Sequence, residues 1–136
     1  MKNKLKLEQK LITGLITDHN ANVSMKFNED DDFETRKAMS SALYVELFEI
    51  LKVTTGTIDS AVNMIKEFGD EDDETLQAKE ELVDFMVNEI NAHTDRVNSQ
   101  MNGFGLLPEQ RQYELGMEFY ADLYQIALTF IEKVSK

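Results

Sequence analysis

Carboxylates are the side chains of this sequence with the clearest capacity for chemistry. Glu46 and Glu49 stand three residues apart, and Glu81 and Asp84 repeat that spacing further along the chain. On a helix, this spacing places both acids of a pair on one face. Glu46 and Glu49 also lie in an almost wholly apolar stretch, where an acid is costly unless something neutralises it. Two such pairs on facing helices could hold Mg²⁺ through oxygen ligands, so these four acids are candidate metal ligands.

A simpler interpretation of these acids stays open. The chain contains 26 Asp and Glu residues, so some pairs at this spacing arise by chance. Each of the four acids would then lie at the edge of an apolar stripe and reach solvent. Other chemistries are less supported, because the absence of Cys excludes thiolate sites and no glycine-rich phosphate loop is present. His19 and His93 stand in no recognisable motif, and we expect both on the surface.

The residues around the acids resemble a known family. The segments 42–50 and 79–86 are similar to the paired ExxE and ExxD helices of the all-α nucleotide pyrophosphatases, the superfamily of MazG and the dimeric dUTPases. The resemblance covers the second to the fourth predicted helix. It implies a dimeric enzyme that binds Mg²⁺ through Glu46, Glu49, Glu81 and Asp84 and cleaves a nucleoside triphosphate to the monophosphate and pyrophosphate. Lys79 and Arg96 are the weak candidates for holding the substrate phosphates.

The elements that would position these residues are helices. One Pro and six Gly in 136 residues favour long helices over a turn-rich β architecture. Apolar spacing and helix-stop signals predict an all-α fold, a compact bundle of four to five helices in a single domain, 1–136, without an internal repeat. The predicted helices cover 5–18, 34–53, 58–68, 74–101 and 108 to the C-terminus, with a possible short strand near 22–27 and a break at 54–57.

The net charge of −12 limits the possible partners. An acidic surface repels nucleic acid and anionic membrane, and it suits a basic partner protein or a cation site. The acidic clusters at 29–32 and 70–74 either have a function of this kind or only keep the protein soluble. We find no signal peptide and no membrane-spanning run, so we expect a cytoplasmic protein.

A second function of a different class fits the same observations. The chain would then be a small acidic helical protein, of phage or mobile-element type, that binds another protein without catalysis. An inhibitor that mimics nucleic acid, an immunity protein and a tail-assembly chaperone are possible forms. The last predicted helix carries apolar residues around much of its circumference. This pattern indicates either a second contact surface, for homo-oligomerisation or a partner, or a central position in the bundle.

Overall fold

The structure is a computed structural model that describes residues 5–28, 30–69 and 72–135. Within these residues it contains four α-helices, one short 3₁₀ helix and no strand, so the predicted all-α bundle is confirmed. The helices are α1 (Lys6–Lys26), α2 (Phe33–Phe68), α3 (Asp73–Met101) and α4 (Glu109–Val134). The 3₁₀ helix, Phe104–Leu106, lies between α3 and α4, where the sequence predicted a break.

Helix α1 is longer than predicted, and the strand predicted near 22–27 is wrong. Val23 and Phe27 follow His19 at intervals of four residues, so they continue the helical face that Ile12 and Ile16 begin. The alternation of apolar residues over 23–27 suggested a strand, but it is too short to outweigh this longer helical pattern. The chain leaves the helix at Phe27, whose backbone is extended.

Helix α2 runs without interruption through 54–57, so the predicted break there is wrong. Thr54 and Thr55 are buried on the same face as Leu51 and Ile58. The Thr55 hydroxyl donates to the Leu51 carbonyl at 2.7 Å, so this polar group is satisfied within the helix itself. The two predicted helices are therefore one helix of 36 residues, about 54 Å long.

The acidic clusters begin the second and third helices. Asp32 accepts a hydrogen bond from the Thr35 backbone N–H at 2.7 Å, and Asp72 accepts one from the Thr75 N–H at 2.7 Å. Each aspartate therefore caps a helix, which is the usual use of this residue type at a helix start. Helix α2 ends at Gly69, whose φ of 71° is the left-handed conformation that favours glycine. Glu29, Asp70 and Glu71 of the two clusters lie outside the described residues.

One hydrophobic core joins the four helices. Ile12, Leu51, Met86 and Phe130, one from each helix, are all fully buried within a single cluster. Helices α2 and α4 each pack against all the other helices, which agrees with the central position considered for the last helix. None of the described helices is both long enough and apolar enough to cross a bilayer.

The continuity of α2 predicts that Gly56→Ala stabilises the protein. Gly56 lies within the helix, is exposed, and a Cβ added there meets nothing within 4 Å. Alanine loses less conformational entropy than glycine on helix formation, so we expect a gain of about 0.5–1 kcal/mol. Urea unfolding followed by circular dichroism measures this change.

Gly69→Ala is the matched control. A Cβ at Gly69 also meets nothing within 4 Å, but its positive φ disfavours alanine. This variant should lose about 1 kcal/mol. A Gly56→Ala variant that is destabilised by a similar amount would contradict the continuous helix.

Candidate functional site

The structure separates the four acids predicted to bind a metal. Glu46 is partly buried and hydrogen-bonded to other side chains, whereas Glu49, Glu81 and Asp84 are exposed. Glu81 accepts a hydrogen bond from Gln77 on its own helix at 3.1 Å. Across residues 5–28, 30–69 and 72–135, no three His, Asp or Glu side chains group so that they could hold a metal ion. Among the described residues these four acids thus form no such group, and both their role as Mg²⁺ ligands and the pyrophosphatase activity stay predictions.

Lys79, predicted to hold phosphate, is buried instead. Its Nζ lies 3.1 Å from Oε1 of Glu8, and both side chains are more than nine-tenths buried. The other carboxylate oxygen of Glu8, Oε2, is buried without a hydrogen-bond partner among the described residues. Lys79 of α3 thus neutralises a buried acid of α1.

His19 is fully buried, so its predicted surface position is wrong. Its Nδ1 lies 2.7 Å from Oε1 of Glu46, and its Nε2 lies 2.6 Å from the hydroxyl of Tyr120. The Asn22 amide donates to both oxygens of the same carboxylate, at 3.2 and 3.1 Å. Burial alone would raise the pKa of Glu46, but the hydrogen bonds from His19 and Asn22 outweigh burial and lower it. The ionised carboxylate can only accept, so Nδ1–H of His19 donates to it.

His93 is also buried, contrary to prediction, and has the same kinds of partners. Its Nδ1 lies 2.7 Å from Oδ2 of Asp122, and its Nε2 lies 2.6 Å from the hydroxyl of Tyr44. Arg96 donates to the same oxygen of Asp122 from Nη2 at 2.8 Å and from Nε at 3.1 Å. Burial opposes ionisation of Asp122, but the bonds from His93 and Arg96 lower its pKa. Arg96, a predicted phosphate-binding residue, is thus paired with an acid.

We call these two groups the His19 relay (His19, Glu46, Tyr120, Asn22) and the His93 relay (His93, Asp122, Tyr44, Arg96). In each, an imidazole joins a tyrosine to a carboxylate, an order that resembles that of a nucleophilic triad. Burial, followed by the charge of Asp122, raises the pKa of Tyr44, and burial is also the main cause that raises that of Tyr120 to about 12. Both phenols therefore keep their protons at neutral pH.

The two relays reveal an internal repeat that sequence inspection missed. The segment Tyr44-Val-Glu46-Leu-Phe-Glu-Ile50 matches Tyr120-Ala-Asp122-Leu-Tyr-Gln-Ile126 in its tyrosine, its acid, its leucine, an aromatic residue and its isoleucine. In α1 and α3, each histidine has an isoleucine three residues before it and a valine four residues after it. The hairpins α1–α2 and α3–α4 therefore share this pattern of residues, and each relay combines residues from both. A direct comparison of segments 44–50 and 120–126 would have shown this repeat in the sequence.

Two apolar grooves lie beside the relay tyrosines. The larger groove, of about 360 Å³, includes Tyr44 of the His93 relay in its wall, and the smaller, of about 220 Å³, includes Tyr120 of the His19 relay. Ser40 lines both, so the grooves adjoin at this residue. The repeat relates their walls, since Val97, Met101 and Phe119 of the larger groove correspond to Val23, Phe27 and Leu43 of the smaller.

Comparison of this chain with protein-family models, with curated proteins and with solved structures finds no match.

From the lowered pKa of the two relay carboxylates we predict that the protein loses stability in acid. In the folded protein the pKa of Glu46 and that of Asp122 lie below the ordinary carboxyl value. Both carboxylates therefore contribute fully to the free energy of unfolding above the ordinary pKa of about 4. This contribution is lost as the pH falls through their pKa values in the folded protein. The variant Glu46→Gln with Asp122→Asn should lose about 1–2 kcal/mol at pH 7, a figure reduced for the solvent exposure of both groups. Its deficit in unfolding free energy should shrink as the pH falls to about 3.

Urea titrations at several pH values measure this deficit. Glu49→Gln, at an exposed position on α2, is the matched control and should cost less than about 0.5 kcal/mol at neutral pH. A deficit of the double variant that stays constant from pH 7 to acid would contradict the linkage.

Because Glu8 and Lys79 form a buried ion pair, we predict that substitutions at the two positions have non-additive effects on the free energy of unfolding. Lys79→Met alone leaves the Glu8 carboxylate buried without its cation and should cost about 3 kcal/mol. Adding Glu8→Leu removes the stranded charge and should restore the free energy of unfolding to within about 1 kcal/mol of the original. Denaturant unfolding of the single and double variants measures the coupling, and a harmless Lys79→Met would refute it.

Proposed function

We propose that this protein is a non-catalytic binding protein whose larger groove holds an apolar segment of another protein. The groove itself carries the proposal, because its volume of about 360 Å³ falls in the range of pockets that bind ligands. Its walls come from α2, α3, α4 and the 3₁₀ helix, so secondary structure rather than a long loop gives it shape.

Exposed apolar side chains near the larger groove support this proposal. Met101 lines the groove and is 44% exposed, and Phe104, another wall residue, shares the 3₁₀ helix with Leu106, which is 92% exposed. Large apolar side chains left in water next to a groove are typical of protein-binding surfaces. The net charge of −12 favours a partner with basic residues beside its apolar segment, since opposite charges speed encounter and stabilise the complex.

The chain offers a groove-filling substitution that spares the fold. Gly116 lines the larger groove, and a Cβ added there meets nothing within 4 Å, so Gly116→Leu extends into the groove. Gly14→Leu is the matched control, because Gly14 is also helical and unobstructed but lies on the exposed face of α1. Both variants replace a helical glycine by the same side chain, so their effects on helix stability cancel in the comparison.

We predict that Gly116→Leu weakens peptide binding and that Gly14→Leu does not. The full chain is used to select binders from a displayed library of short peptides with free C-termini, and the selected peptides are measured by fluorescence anisotropy. They should combine apolar with basic residues and lose at least about tenfold in affinity on Gly116→Leu. Equal binding to both variants, or a library without binders, would count against the proposal.

An assay of turnover separates this proposal from the pyrophosphatase prediction. The protein is incubated with Mg²⁺ and a panel of nucleoside triphosphates, and released pyrophosphate is measured. The binding proposal expects none. Pyrophosphate release that disappears in Glu49→Ala and Asp84→Ala would favour the enzyme instead.

A further inference from the structure

The walls of the smaller groove repeat those of the larger groove. Residues of α1 correspond to residues of α3 at the interval that separates His19 from His93, and residues of α2 correspond to those of α4 at the interval that separates Tyr44 from Tyr120. At these intervals each described wall residue of the smaller groove has a counterpart in the wall of the larger groove. Three of these pairs join α2 and α4: Ser40 with Gly116, Met117 with Ser41, and Tyr120 with Tyr44. The smaller groove is therefore a second version of the proposed binding surface.

The two versions differ in size for an identifiable reason. Met117, which is 37% exposed, lies in the smaller groove at the position where the larger groove has the short side chain of Ser41. Among the described residues, the 3₁₀ helix contributes a wall, Phe104, to the larger groove only. The resulting volume of about 220 Å³ is below the range of roughly 300–1,000 Å³ that is usual for pockets that bind whole ligands. The smaller groove therefore suits one side chain rather than a separate ligand.

The side chain that suits the smaller groove is an apolar one. The accessible surface of this groove consists of apolar atoms. The hydroxyl of Tyr120 is hydrogen-bonded to Nε2 of His19 at 2.6 Å, and Ser40 Oγ is buried. A polar group in the groove would lose its hydrogen bonds to water without replacement, which is unfavourable. An apolar side chain instead gains free energy as it leaves water.

The two grooves are close enough to share one segment of the partner. Ser40 lines both, and α2 and α4 each contribute walls to both. A segment in the larger groove therefore passes beside the smaller groove, where a second of its side chains can enter. Because the two side chains belong to one chain, the second contact does not require the ordering of another molecule.

We propose that the smaller groove is the second anchor site for the segment that occupies the larger groove. The partner segment then carries two apolar side chains, one for each groove, and Met117 limits the size of the second. This inference rests on the proposed function, of which it specifies the partner segment.

The test exchanges side-chain size between the protein and the peptides that the full chain selects. Alanine replacement along each peptide should reveal two apolar positions at which affinity falls. Each of these positions is then enlarged to tryptophan. At the position that enters the smaller groove, tryptophan should weaken binding about tenfold, because the groove is overfilled. Met117→Ser gives the smaller groove the residue that the larger groove has, so it should recover most of this tenfold loss.

Met64→Ser is the matched control. It makes the same change at a residue of α2 that is 60% exposed and lines neither groove, so it should not restore binding of the tryptophan peptide. An increase in affinity requires a folded protein, so misfolding of the Met117→Ser variant cannot produce the expected result.

The outcomes distinguish this inference from the proposed function. Peptides with a single alanine-sensitive apolar position would overturn the second anchor and leave binding in the larger groove intact. The same conclusion would follow if Met117→Ser restored no tryptophan peptide, or restored it no better than Met64→Ser. A library without binders would overturn the proposed function and this inference together.

Discussion

An imidazole buried inside a helical bundle must find a hydrogen-bond partner for each of its two nitrogens, and this protein meets that demand twice. His19 comes from α1 and His93 from α3, and in both cases α2 and α4 supply the tyrosine and the carboxylate. An unpaired nitrogen at either position would cost free energy comparable to that of a sizeable core defect. The packing of all four helices therefore depends on these two side chains as well as on the apolar core.

The apolar periodicity was sufficient to predict the fold class, and its errors share one cause. The alternation of Val23, Met25 and Phe27 and the threonine- and glycine-rich run at 54–57 are local signals that favour a strand and a break. In the structure, longer helical faces override both, because those faces bury His19 and Ile58 against neighbouring helices. Local propensity is a weak guide where tertiary burial spans several turns.

The candidate site was much less predictable than the fold, because its residues are distant in sequence. Glu46 stood out as an acid within an apolar stretch, but its partners in the structure are His19 and Asn22, which lie 24 to 27 residues away in the sequence. Among the described residues it belongs to no group of three His, Asp or Glu side chains that could hold a metal ion. Arg96 was singled out for its charge, and its partner Asp122 lies 26 residues away. The grooves could not be foreseen, since helices from both halves of the chain form their walls.

The spacing of the relay residues on the two central helices determines how those helices can move. On α2 the tyrosine and the acid stand two residues apart, and α4 repeats that spacing. Two residues correspond to about 200° of rotation around a helix, so each central helix is held from nearly opposite sides. Neither helix can turn about its axis or slide along it without straining a hydrogen bond in both relays. These hydrogen bonds therefore favour one helical register, and with it one shape for the groove walls that α2 and α4 contribute.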